Sequence, residues 1–145
     1  MISLKDNAIL PDKIKSLLLA HAIRPTSQRV GIARILLTHP QHLSADQVLA
    51  RVNKNEAVVS KATVYNTLNL FAEKGLIRQV IIEPGRVFYD SNTAVHHHFY
   101  HEDTGMLEDI EAKEMTIANM PELPPNTVKS GIDVVIRVRN KTKLT

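Results

Sequence analysis

The sequence predicts an α+β chain in two parts, and three observations carry that reading. Four helix-length segments, each with its own start and stop signals, fill most of the first half of the chain. Two short apolar runs joined by Glu83-Pro84-Gly85-Arg86 follow at once. Beyond Asp90 the pattern turns to short strands, the first of which holds His96-His97-His98-Phe99-Tyr100-His101. The boundaries that follow are 1–84 for the helical part, 85–91 for the end of the hairpin and a hinge, and 92–145 for the strand-rich part.

Residues 11–22 read as a helix with Ile14, Leu17, Leu18 and Leu19 inward, ended by Arg24-Pro25, because a residue before proline is pushed out of the α region. Thr26 caps a second helix whose Val30, Ala33 and Leu37 fall at i, i+3 and i+7 and which stops at Thr38-His39-Pro40. Ser44-Ala45-Asp46-Gln47 is a capping-box pattern opening a third helix, with Val48, Leu49 and Val52 apolar. Ser60 caps a fourth, with Val64, Leu68 and Phe71 as its buried stripe and Lys74-Gly75 as its stop. Strands at 76–82 and 87–89 flank the Pro-Gly turn. Helix, helix, recognition helix and β-hairpin in this order describe a winged variant of the helix-turn-helix.

The second part should hold the His-rich strand, a turn at Asp103-Thr104-Gly105, a strand at 106–110, a short helical or irregular stretch, and a last strand at 132–138. There Ile132, Val134, Ile136 and Val138 alternate with other residues to give one apolar face. Three strands and one short helix are too small a core to stand alone, so this small α/β domain should pair with its copy in a homodimer.

Composition narrows the chemistry. The 145 residues are 43% hydrophobic but only 4% aromatic, so packing rests on Leu, Ile and Val. The net charge is +3, with most Lys and Arg in the first ninety residues, which suits an anionic partner, nucleic acid ahead of a membrane surface. No apolar run approaches the length of a membrane span, so a cytoplasmic protein is expected. The absence of cysteine excludes disulfides, thiol redox sensing and cysteine-ligated structural zinc. Any metal must have N/O ligands.

Four of the seven histidines lie between His96 and His101. If that segment is extended, His96, His98 and Tyr100 share one side, and His97, Phe99 and His101 the other. Imidazoles at i and i+2 can reach one ion, Fe²⁺, Mn²⁺ or Zn²⁺, and the triplet His96, His97, His98 also offers donors to haem. The plain alternative is a polar strand end with solvated histidines.

On the fourth helix the stripe opposite Val64, Leu68 and Phe71 contains Ala62, Asn66, Asn69 and Glu73, with Tyr65 on a flank. Small and polar residues there permit close approach to a DNA major groove. Ala62, Thr63 and Tyr65 suit a thymine methyl and Asn66 suits adenine. Arg24, Arg29 and Lys61 are the candidate phosphate contacts. An ordinary amphipathic helix with a solvated face is the alternative.

Arg24-Pro25-Thr26-Ser27-Gln28-Arg29, His42-Leu43-Ser44-Ala45-Asp46 and Ala62-Thr63-Val64-Tyr65-Asn66-Thr67-Leu68-Asn69, together with the His96 to His98 triplet, resemble the ferric uptake regulator superfamily across about residues 20 to 140. Tyr89-Asp90-Ser91-Asn92-Thr93 and Ile132-Asp133-Val134-Val135-Ile136-Arg137 are most similar to its bacterial iron response regulator branch, which reads iron through haem and regulates haem-synthesis and iron-handling genes. The resemblance implies a repressor with an N-terminal winged-helix domain, a hinge, and a dimerisation domain whose ligand state controls operator binding. It also implies a metal set of His42, Asp90, His96 and His98 drawn from both domains. At the second superfamily site His97 holds one place, while Val95 stands where another histidine is common. The chain departs from the superfamily in having Asp103 and Gly105 where a cysteine pair often stands, and it lacks the Cys-Pro haem motif of some haem-sensing relatives. A haem-delivering protein, of unknown identity, would be a further partner under the haem reading.

An iron- or haem-responsive DNA-binding regulator is therefore the leading reading, with direct sensing of Fe²⁺ or Mn²⁺ ranked just behind haem. A metal-dependent hydrolase is the alternative in a different class, opposed by the lack of a His-Glu-x-x-His helix and of a general base beside the triplet. A metal-storage module would leave the winged-helix pattern unexplained.

Overall fold

The computed structural model describes residues 11–39, 41–54, 59–94 and 96–142. They divide into two compact units, Met1–Thr93 and Ala94–Thr145. Pro40 and Val95 lie outside the described residues.

In the first unit α1 (Pro11–Ala20) buries Ile14 and Leu18, while Leu17 is half-buried and Leu19 is exposed. Three successive residues advance 100° each around a helix, so they cannot all face one core. Helix α2 (Ser27–Leu37) starts at Thr26, whose side chain accepts the Arg29 backbone N–H. Of the expected Val30, Ala33 and Leu37, Ala33 is fully buried while Val30 and Leu37 are half-buried against the same core, and Ile32 and Leu36 are the other fully buried residues. Apolar residues occupy most of this helix's circumference, so periodicity alone did not single out the inward face.

A short strand the sequence reading did not anticipate, β1 (His42–Ser44), precedes α3 (Ala45–Val52). The capping box forms in full: Ser44 Oγ accepts from the Gln47 backbone and Gln47 Oε1 from the Ser44 backbone. Helix α4 (Lys61–Glu73) begins at Ser60 and ends at Lys74, with Gly75 at φ 79° in the left-handed region that glycine adopts without strain. Its Val64, Leu68 and Phe71 are fully buried, as the spacing predicted, against Ile14, Leu18, Ile32, Leu36 and Val48. Each such side chain contributes on the order of 1.5–3 kcal/mol.

Strands β2 (Arg78–Glu83) and β3 (Arg86–Asp90) form the hairpin, and the antiparallel sheet runs in the order β1-β3-β2. The stretch 85–91, expected to finish the hairpin and act as a hinge, is occupied through Asp90 by β3, the central strand of this sheet. The division between units falls after Thr93.

The second unit is a sheet of order β5-β4-β6. Strand β4 (His97–His101) pairs antiparallel with β5 (Met106–Ile110) across a turn containing Gly105 at φ 75°. It pairs in parallel with β6 (Val135–Val138), which is shorter than the expected 132–138. A parallel pair needs a long crossover, and here the chain from β4 to β6 runs through β5 and then carries a single 3₁₀ turn, Ala112–Glu114, as its only further regular element among the described residues. Ile132, Val134 and Val138 are half-buried and Ile136 is exposed.

Candidate nucleic-acid face and metal-ligating residues

The outward stripe of α4 is the first candidate. With its apolar residues committed to the core, Ala62, Asn66, Asn69 and Glu73 are exposed and Thr63 and Tyr65 half-buried. Thr63 belongs to the cap: Ser60 Oγ donates to its Oγ1 at 2.9 Å and accepts its backbone N–H at 3.1 Å. Ala62 and Asn66 therefore present the freest small surface.

Around them the side chains are tethered. Tyr65 Oη donates to Asp46 Oδ1 at 3.4 Å, Lys61 Nζ lies 3.8 Å from the same carboxylate oxygen, and the Lys61 ammonium stands 5.6 Å from the Tyr65 ring centre. The Lys61 pair is well exposed, so it holds the cation in place without adding much stability. Arg29 donates from its guanidinium to the Arg24 carbonyl at 2.9 Å, which shapes the turn before α2, and the Arg24 side chain is exposed.

From β3, Tyr89 Oη donates to Asn69 Oδ1 at 2.8 Å. Burial raises the Tyr89 phenol above its ordinary value, partly opposed by a hydrogen bond from the Gln79 side chain, so the phenol stays protonated at neutral pH. A cleft of about 350 Å³ opens between α3, α4 and the hairpin, lined by Asp46, Tyr65, Asn69, Gln79, Arg86 and Tyr89 among others.

The metal-ligating candidates fall in both units. In the first, His42 of β1 is the register partner of Asp90 of β3, and their ligand atoms lie within 4.8 Å of each other. Asp90 is buried and its Oδ1 accepts the Asn92 backbone N–H at 2.8 Å. Pairing β1 with β3 is what brings these two together across 48 residues of sequence.

In the second unit His96 and His98 share a side, as the alternation predicted, with ring centres 4.6 Å apart. His96 Nδ1 donates to the Ala94 carbonyl at 2.6 Å, which leaves the lone pair of a neutral ring on Nε2. That Nε2 lies 3.4 Å from Asp109 Oδ1, and His98 Nε2 lies 3.3 Å from the same atom. Ligands held about 2.1 Å from one ion stand roughly 3.0–3.4 Å apart in octahedral or tetrahedral geometry. The distances from each imidazole to Asp109 therefore suit ligands of one hard or borderline cation, with His98 and Asp109 the second-unit pair whose ligand atoms lie within 4.8 Å of each other. His97 is separate: its Nδ1 accepts the Val134 backbone N–H at 3.1 Å, binding β4 to the residue before β6. His101 Nε2 is 2.8 Å from Glu108 Oε1, a diagonal cross-strand pair two residues from register.

Asp109 was missed in the sequence. The signal was present in the hairpin: a turn at Asp103-Thr104-Gly105 that pairs His101 with Met106 must place Asp109 opposite His98.

The sequence profile of the ferric uptake regulator family matches residues 20–123. The chain belongs to this family. Among curated proteins, this ferric uptake regulator family member is 30% identical over 106 residues to the peroxide-responsive repressor PerR of Staphylococcus aureus, covering 73% of this chain and 71% of that one. Among solved structures it resembles the ferric uptake regulator of Pseudomonas aeruginosa with manganese (TM-score 0.66, 22% identity, 88% of this chain and 98% of that one). It also resembles the ferric uptake regulator of Vibrio cholerae (TM-score 0.67, 20% identity, 87% and 98%). A third likeness is to a zinc-bound manganese uptake regulator (TM-score 0.64, 23% identity, 88% and 98%). These likenesses establish the α+β fold, a winged helix-turn-helix followed by a small α/β domain.

Proposed function

We propose that this family member is a homodimeric, metal-responsive transcription regulator that binds operator DNA through α4, and that its effector is a divalent ion. The observation that carries the reading is the convergence of His96 Nε2 and His98 Nε2 on Asp109 Oδ1, at 3.4 and 3.3 Å, in a chain whose other unit is a winged helix. The His96 lone pair and the His98 ring nitrogen beside one carboxylate favour a cation there. His42 and Asp90 supply the further ligands that the family resemblance implies, so that ion occupancy would bias the arrangement competent for DNA. When bound, the ion supplies a fixed positive charge and a preferred ligand geometry. The chain's own part is to orient the imidazoles: the Ala94 carbonyl does so for His96.

Iron is the finer reading, from the likeness to the iron response regulator branch, with repression of haem-synthesis or iron-handling genes as the output. Between ion and haem the geometry favours the ion. Both Nε2 atoms are buried beside a carboxylate, and His97 faces away with Nδ1 already occupied. The peroxide-responsive name of a 30%-identical relative favours a second reading, a response to oxidant. In a chain without cysteine, that response would run through the metal ion and its ligands.

The test is selection from a random-sequence duplex pool by the full-length protein with and without Mn²⁺. Enrichment of a palindrome only with metal, lost when His96, His97 and His98 are replaced together by alanine, is the expected result. Metal-independent enrichment by both proteins would refute the metal-responsive reading.

A further inference from the structure

The geometry points to Tyr89 as a positioning residue that fixes the Asn69 amide of α4 so that it presents donors, not an acceptor, to the nucleic acid. The inference rests on the DNA-binding reading of α4. Gln79 and Tyr89 are register partners on β2 and β3, and the Gln79 side chain hydrogen-bonds the phenol. With the phenol oxygen accepting from the Gln79 amide, its single hydrogen is directed to Asn69 Oδ1, 2.8 Å away. The chain of donors runs Gln79 to Tyr89 to Asn69, and each bond polarises the next.

The consequence lies at the exposed end. An asparagine that reads adenine must accept through its oxygen and donate through its nitrogen together. Asn69 has its oxygen engaged by a buried phenol on the protein side, so its two N–H donors are what it offers outward. Such a group takes an acceptor: a phosphate oxygen, guanine O6 or N7, adenine N7, or thymine O4. Asn69 follows Tyr65 by one helical turn, and Tyr65 is itself held by Asp46 at 3.4 Å. Two residues of one α4 flank are thus set by partners from α3 and β3 before any DNA arrives, which lowers the ordering cost of the contact.

The experiment uses full-length protein with Mn²⁺ and, as probe, a duplex selected by the wild type from a random pool. Tyr89→Phe is expected to weaken binding about two- to tenfold, the scale of one neutral hydrogen bond. Asn69→Ala should cost a similar factor, and the double variant no more than Asn69→Ala alone. Gln79→Ala, at an exposed strand position that leaves the buried ring in place, should produce a smaller loss that also vanishes in the Asn69→Ala background. Loss that is uniform over single-base variants of the probe assigns the acceptor to phosphate. Loss tied to one position assigns it to a base acceptor, and dependence on the N6 amino group of an adenine, read by replacing that adenine with purine, contradicts the donor assignment. An equal Tyr89→Phe penalty with and without Asn69 overturns the proposal, as does no penalty at all. In the DNA-free protein, the Asn69 side-chain amide resonance should move in Tyr89→Phe. If the wild type selects no duplex, the DNA reading of α4 fails, and an amide resonance that does not move refutes the hydrogen-bond relay independently.

Discussion

Asp109→Asn separates a metal ligand from a merely structural carboxylate, because the two roles predict different losses in the same molecule. The Asp109 side chain is 48% exposed and sits 3.3 and 3.4 Å from two imidazoles. A half-exposed pairing of this kind is screened by solvent, so its removal should cost the metal-free protein about 0–1 kcal/mol. With metal the loss is larger. Even an outer-shell partner is worth about 10–100-fold in metal affinity. At a free Mn²⁺ concentration of 100 times the wild-type Kd, binding stabilises the fold by about 2.7 kcal/mol, and a 100-fold weaker site leaves only about 0.4 kcal/mol. For a chain of this size the missing 2.3 kcal/mol or so corresponds to roughly 5–9 °C of melting temperature. Thermal melts of wild type and Asp109→Asn, each with chelator and with Mn²⁺, read both numbers. The reasoning fails if Mn²⁺ raises the melting temperature equally in the two proteins, or if the variant is already several kcal/mol less stable in chelator.

Tyr65→Ala should weaken binding to the selected operator by about 1–3 kcal/mol while sparing unrelated DNA, whereas Arg24→Ala should weaken both alike. Competition titrations against random-sequence duplex check this, and equal loss of specificity from the two changes would sink the division of labour. Ser44→Ala removes one half of the capping box on α3 and should cost about 1 kcal/mol in chemical denaturation; a change within error would show the cap to be dispensable. Because burial raises the Tyr89 phenol, the folded state holds its proton more tightly than the unfolded chain does. That contribution is complete below the unfolded tyrosine pKa of about 10 and is lost as pH climbs through the higher folded value. Wild type should therefore lose stability relative to Tyr89→Phe above about pH 10, and parallel stability curves would show that burial does not act on this phenol.

Legibility from sequence followed the strength of local signals. Thr26, Ser44 and Ser60 were readable as caps because each needs only a side-chain oxygen and the next turn's N–H groups, and all three form. Val64, Leu68 and Phe71 were readable because polar residues flank them on α4. On α2 nearly every side is apolar, and the inward face was set by tertiary packing instead. Strand β1 is three residues long and exists only through its pairing with β3, so nothing local to His42–Ser44 announced it. The shortfall at β6 has the same cause, since alternation in 132–138 marks a candidate strand but a partner strand decides how much of it is paired. In the candidate site, the clustered His96 and His98 stood out by composition. Asp109 did not, because a single aspartate on a strand is unremarkable until the hairpin register is counted. The tether from Tyr89 to Asn69 joins residues twenty positions apart and was beyond any local pattern.

The account's central claim is that a divalent ion held by the histidine and carboxylate set governs DNA affinity. The most direct measurement is the affinity of one purified sample for its selected duplex as chelated, Mn²⁺-supplemented and haem-supplemented protein, at fixed salt. The account predicts that Mn²⁺ changes the affinity by at least tenfold relative to the chelated sample, and that His98→Ala removes the change. Equal affinity in the chelated and Mn²⁺-supplemented samples, with a shift produced by haem alone, would contradict it.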